Sequence, residues 1–177
     1  MNVVPCRAGA PPYPSEADLR ALMVEPPRIR ICVVEDDEVL REAFTEPLEH
    51  DPAMKVLGSF ASAEEYLNSP VAAIPDVVIM DLNLPGMDGI ACTERLKRAT
   101  PTVQVLVCTV QDDDDSLFNA LCAGATGYLL KDARPTEVVQ AVRTMHAGGS
   151  PMSPGIARRV LSSFSAPRRQ AKEMELL

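Results

Sequence analysis

Val77-Val78-Ile79-Met80-Asp81-Leu82-Asn83-Leu84-Pro85-Gly86-Met87-Asp88-Gly89 decides the fold. Its first four residues are apolar without alternation, which suits a strand covered on both faces. The run stops at a carboxylate, turns through Leu84-Pro85-Gly86, and enters a helical pattern over Asp88–Ala99. Strand, acid, turn and helix in that order form one unit of a parallel α/β sheet.

The unit repeats on either side. Upstream, Ile31-Cys32-Val33-Val34 runs into Glu35 and Asp36, and Val39, Leu40, Ala43, Phe44 and Leu48 follow at helical spacing. Met54–Phe60 is a second strand, and Ser62-Ala-Glu-Glu65 is a capping box that starts a helix. Downstream, the strand Val103–Cys108 leads to Thr109, and Leu117, Ala120, Leu121 and Gly124 mark a helix face. Gly127–Leu130 is the last strand and ends at Lys131. Pro135 opens a helix with Val138, Val142 and Met145 on one face, and Gly148-Gly149 stops it. Five strands alternating with five helices predict a doubly wound parallel sheet with helices on both faces and right-handed crossovers. Pro47, late in the first helix, removes a backbone donor and is expected to kink or shorten it.

Three domain segments follow. Residues 28–149 are the folded unit. Residues 1–27 hold six of the 16 prolines and read as a flexible extension, within which Ser15–Val24 offers a short helix with Leu19, Leu22 and Met23 on one side. Residues 150–177 contain a linker or dimer helix from Ser153-Pro154, with Ile156, Val160 and Phe164 along one face, and then a segment that looks incomplete. The net charge is −8, but residues 28–149 carry 20 acids against 10 Lys/Arg, and residues 150–177 carry two against five. So acidic a body is a poor partner for nucleic acid. No apolar run is long enough to cross a bilayer and no secretion signal opens the chain, so the expected location is the cytoplasm. The five cysteines (6, 32, 92, 108 and 122) lack metal or disulfide spacing and are expected to be reduced core thiols. His50 and His146 are expected at the surface. The acids 112–115 are expected to be solvated at a helix N-terminus rather than to hold a cation.

Ligands of an open parallel sheet gather beyond the carboxyl ends of its strands. Glu35, Asp36, Asp81, Thr109 and Lys131 all arrive at that edge. Clustered carboxylates repel unless a cation relieves them, and a hard oxygen-seeking ion such as Mg²⁺ (or Mn²⁺) is the natural partner. Asp36 and Asp81 would bind it directly, and Glu35 directly or through water. A carboxylate beside such an ion can attack a phosphoryl donor and form an acyl phosphate, with Lys131 offsetting charge and the Thr109 hydroxyl donating to the product phosphate.

Over residues 29–148 the chain resembles a response regulator receiver domain. The likeness rests on Val-Val-Glu35-Asp36-Asp37, on Asp81-Leu-Asn83-Leu-Pro-Gly-Met-Asp-Gly89, on Val-Cys-Thr109-Val, and on Gly124-Ala-Thr-Gly-Tyr128-Leu-Leu-Lys131-Asp132. Residues 120–132 resemble the NarL/LuxR group in particular. The resemblance implies a flavodoxin-like sheet of order 2-1-3-4-5. It also implies Asp81 as phosphoacceptor, Glu35 and Asp36 as the acid pair, and Asn83 as donor of a backbone carbonyl to the metal. Thr109 becomes the switch hydroxyl, Tyr128 the switch aromatic and Lys131 the phosphate-binding lysine. A packed Tyr128 with no switching role stays open. The implied partners are a sensor histidine kinase, a second copy through residues 110–131 or the 154–164 helix, and DNA through a C-terminal helix-turn-helix that would begin about where this chain ends. Two features depart from the pattern: Glu35 stands where Asp is commoner, and Val110 replaces the usual Ala.

Two other classes compete. An Asp-nucleophile phosphatase wants a second Asp at position 83, where this chain has Asn83. A phosphate-independent interaction domain would keep the fold without the chemistry, and the intact Asp36, Asp81, Thr109 and Lys131 speak against it. The protein is therefore expected to act as a phosphoacceptor that hydrolyses its own acyl phosphate, not as an enzyme on other substrates.

Overall fold

The computed structural model describes residues 27–72, 74–110 and 113–165. The expected Ser15–Val24 helix, Cys6, Asp112, the Phe164 side chain and the segment after 165 lie outside the described residues.

The strands are β1 (Ile29–Val34), β2 (Met54–Phe60), β3 (Val77–Met80), β4 (Gln104–Thr109) and β5 (Gly127–Leu130). Between and after them come α1 (Glu38–Glu49), α2 (Ala63–Asn68), α3 (Gly89–Ala99), α4 (Asp114–Cys122), α5 (Pro135–His146) and α6 (Pro154–Ser165). All pairings are parallel and the order is β2-β1-β3-β4-β5, so the expected winding is present. The winding reverses between β1 and β3, which opens a crevice at their carboxyl ends.

Alternate residues of each strand enter opposite cores, as the pleat requires. Ile31, Val33, Val77, Ile79, Leu106 and Cys108 meet Phe44 and Leu48 of α1 and Val138, Val142 and Met145 of α5. Cys32, Val34, Val78, Met80, Val105 and Val107 meet Tyr66 of α2, Cys92 and Leu96 of α3, and Leu117 and Ala120 of α4. Both sets are buried, which explains why the strands read as continuous apolar runs.

The helix ends follow their local chemistry. Asp37, Ser62, Asp88 and Asp113 each accept a backbone N–H of the first turn of the following helix. Asp113, with Asp114 and Asp115 in the first turn, therefore caps and charges the start of α4 as expected. The Ser62 box differs in one detail: Glu65 reaches back to the amide of Ala61, not of Ser62. Pro47 lies in the last turn of α1, and the helix closes two residues later, at Glu49. One cysteine expectation is corrected. Cys32, Cys92 and Cys108 are buried, but Cys122 is exposed because it occupies the outer side of the last turn of α4.

After α5 the chain turns back along the sheet. The Tyr128 amide donates to the Pro151 carbonyl at 2.9 Å, and Met152 bridges Tyr128 in parallel, so residues 151–152 cover the free edge of β5. From there α6 packs on α4, placing Ile156, only 1% exposed, in the core beside Tyr128. Burying such a side chain contributes roughly 1.5–3 kcal/mol.

Candidate functional site

The register of the central strands assembles the site. Val34 lies opposite Met80, so Glu35 and Asp81 emerge side by side; Thr109 lies opposite Leu130, so Lys131 emerges next to it. Backbone bonds extend each pairing one step past the strands: the Asp81 amide donates to Val34 and the Lys131 amide to Thr109, at 3.0 and 2.9 Å.

Lys131 closes the pocket. Its Nζ lies 2.7 Å from Glu35 Oε1 and 2.9 Å from Asp81 Oδ2, and the three side chains are 9%, 2% and 1% exposed respectively. Burial raises the Glu35 pKa; the Lys131 bond opposes that and the Asp81 charge adds to it. Burial alone would lower the Lys131 pKa, but its bonds to Glu35 and Asp81 outweigh that and leave it raised. One ammonium is shared by two carboxylates that are both almost fully buried.

Two buried oxygens, Glu35 Oε2 and Asp81 Oδ1, have no hydrogen-bond partner. Glu35, Asp36 and Asp81 each offer an oxygen, all within 4.8 Å of one another. Orphaned carboxylate oxygens this close together fit a hard divalent cation, which would satisfy both at once.

The structure thus brings Glu35, Asp36, Asp81 and Lys131 into one pocket, with Thr109 buried at its edge. Asn83 is exposed in the turn after Asp81. Tyr128 is fully buried, in the same apolar core as Ile156. Val110, 67% exposed, borders a cleft with Leu40, Leu130, Lys131 and Asp132. Arg41 was not singled out by sequence, yet its Nη1 donates to the carbonyls of Glu35 at 2.7 Å and Asp36 at 3.2 Å. The available signal was a cation on the helix that starts just behind the acid pair. Gly89 is forced by the same geometry: a Cβ there would lie 1.9 Å from the Asp81 carbonyl oxygen.

A doubly wound sheet with acids from β1 and β3 and a lysine from β5 at its switch point defines an α/β domain built to hold a cation and an anion together. The response regulator receiver domain model matches residues 31–143, and the chain belongs to that family: it is the receiver domain of a two-component response regulator. It is 36% identical over 149 residues to the response regulator GacA of Pseudomonas viridiflava, covering 84% of this chain and 70% of the relative. With the transcriptional regulatory protein LiaR of Bacillus subtilis it shares 34% identity over 134 residues, covering 76% and 64%. The crystal structure of a LuxR-family two-component response regulator from Aurantimonas superposes with a TM-score of 0.72 at 32% identity, covering 78% of this chain and 99% of that one. The chain thus spans about two thirds of these curated relatives. Members of the family are phosphoacceptors paired with histidine kinases. Among the described residues no helix is long and apolar enough to cross a membrane.

Proposed function

We propose that this receiver accepts a phosphoryl group on Asp81 from a sensor histidine kinase in a Mg²⁺- or Mn²⁺-dependent reaction, and that the acyl phosphate changes the surface offered to partners. The observation that carries this is the pairing of Lys131 with Glu35 and Asp81 while Glu35 Oε2 and Asp81 Oδ1 stay unpaired. In the transfer an Asp81 oxygen bonds to phosphorus as the phosphorus–nitrogen bond to the donor imidazole breaks, and the imidazole keeps the electron pair and takes up a proton. Lys131 supplies fixed positive charge that offsets the negative charge on the transferring oxygens. Glu35, Asp36, Asp81 and the Asn83 carbonyl would hold the cation, which would neutralise charge on the same oxygens. Water later hydrolyses the acyl phosphate.

Phosphorylation adds close to two negative charges and three acceptor oxygens. The Thr109 hydroxyl answers them, and Tyr128, two strand positions before Leu130, is the residue through which β5 can register the change. Residues 110–131 and α6 were expected as alternative dimer surfaces, but α6 packs on α4 and the two form one surface, with Phe118 and Leu161 exposed on it. We assign homodimer contact to that composite, and transcriptional control to the intact regulator, by likeness to the transcriptional regulatory protein LiaR.

Incubation with acetyl phosphate and Mg²⁺ should label the wild-type chain and leave Asp81→Asn unlabelled. Full labelling of the variant overturns the assignment. Mg²⁺-dependent beryllofluoride binding, followed by amide shifts, separates this reading from a phosphate-independent interaction domain.

A further inference from the structure

We infer that Glu64, on α2, is a positioning residue for the metal-binding turn between β3 and α3. The inference rests on the reading of the Asn83 carbonyl as a metal ligand. A backbone ligand has no rotamer of its own, so its place is set by whatever anchors the turn that carries it. On the near side the anchors are apolar: Leu82 and Leu84, flanking Asn83, are 3% and 7% exposed. On the far side Asn83, Pro85, Gly86 and Asp88 are exposed and Met87 only partly buried.

Glu64 supplies the tie there. Its Oε1 accepts the Met87 amide at 2.8 Å, across 23 residues of chain. The carboxylate lies so close that a Cβ at position 86 would sit 2.7 Å from Oε1, and Gly86 also has φ +78°. Glycine is favoured there by its backbone angle, and a side chain at that position would have to displace the Glu64 carboxylate. The neighbouring acid has a different task, since Glu65 turns back to the Ala61 amide at the start of α2. Two adjacent glutamates therefore divide helix capping from turn positioning. A hydrogen bond to an ionised acceptor is about twice as strong as a neutral one, which suits an exposed tie without packing.

Mg²⁺ demands near-ideal octahedral geometry, whereas Ca²⁺ tolerates irregular ligand sets. A slack turn should therefore weaken Mg²⁺ more than Ca²⁺, a selectivity shift that a purely structural role would not produce. Titration calorimetry of the wild-type chain, Glu64→Ala, Glu64→Gln and Asp81→Asn with each cation tests this, alongside urea unfolding and exchange of the Met87 amide. Glu64→Ala should bind Mg²⁺ about 10-fold more weakly, the low end for residues that orient ligands, with a smaller loss for Ca²⁺ and faster Met87 exchange. Glu64→Gln, which keeps an acceptor oxygen, should recover most of the Mg²⁺ affinity. Unchanged Mg²⁺ affinity in Glu64→Ala, or equal losses for both cations together with a fall in stability, overturns the inference. Absence of Mg²⁺ binding by the wild-type chain, or undiminished binding by Asp81→Asn, overturns the reading of the site itself and this inference with it.

Discussion

Tyr128 and Ile156 pack together in one core, although one belongs to the last strand of the sheet and the other to the helix that follows the domain. The Tyr128–Met152 bridge fixes where the chain begins its path to that helix. The start of α6 is therefore part of the folded body, attached to the strand that leads into Lys131.

Ile156→Ala should destabilise the protein by about 2–5 kcal/mol, the usual cost of truncating a fully buried aliphatic side chain. Arg159 Nε also lies 2.7 Å from Asp114 Oδ1, but Asp114 is 77% exposed, so Arg159→Ala should cost about 0–1 kcal/mol. Urea unfolding of both variants decides between apolar packing and ion pairing as the force that docks α6. A larger loss for Arg159→Ala would contradict the packing account.

Lys131→Met removes the cation from two buried carboxylates. Without divalent ions this should cost about 3–5 kcal/mol, because uncompensated charge is left in the pocket. Saturating Mg²⁺ should restore part of it. A loss under about 1 kcal/mol in chelator would show that the pocket tolerates its acids unpaired.

Stability in the absence of divalent cations should fall as pH rises above the ordinary Glu value of 4.5. The folded state holds the Glu35 proton more tightly than the unfolded chain does, so its contribution is fully present below that value and is lost through the raised folded pKa. Lys131, also raised, keeps its contribution until pH climbs past its ordinary 10.5 and through its raised folded value. Asp76 has the opposite sign: the Arg30 bond lowers its pKa, so its contribution is lost as pH falls below 3.8. Urea midpoints from pH 4 to 9 in chelator test the Glu35 effect, which Glu35→Gln should flatten. An unaltered slope in that variant would assign the pH dependence to other groups.

Gly89→Ala should fail where an ordinary helix glycine would gain. The added methyl would meet the Asp81 carbonyl oxygen at 1.9 Å and the Leu82 Cα at 2.8 Å, both backbone atoms. Overpacking of this kind costs about 1–3 kcal/mol, and here it also pushes on the phosphoacceptor itself. Urea unfolding and acetyl phosphate labelling should both be impaired. Normal labelling with unchanged stability would mean that the turn relaxes freely.

Much of the fold was legible because apolar runs such as Val77–Met80 and Val105–Cys108 permit no wet face, and because each ends in a polar residue at the same sheet edge. Cys122 was misread since a periodic pattern marks which residues share a helix face, not how completely the next element covers it. Arg41 and Glu64 were missed for a related reason. Both act on backbone groups of other segments, and a cation or acid on an exposed helix turn looks the same whether or not such a group lies within reach.

The strand order came from the family resemblance; from residue types and spacing came the alternation of strands and helices in a parallel sheet covered on both faces, and the identity of the acids and lysine that could do phosphate chemistry. Those depend on local periodicity and on strand ends, which are properties of short windows of chain. Folding in three dimensions alone decided that Lys131 bridges Glu35 to Asp81, that two carboxylate oxygens are stranded without partners, and that α6 docks on α4 with Ile156 in the core that holds Tyr128. Such facts depend on register between strands far apart in sequence and on which surfaces exclude water, and no window of residues contains either.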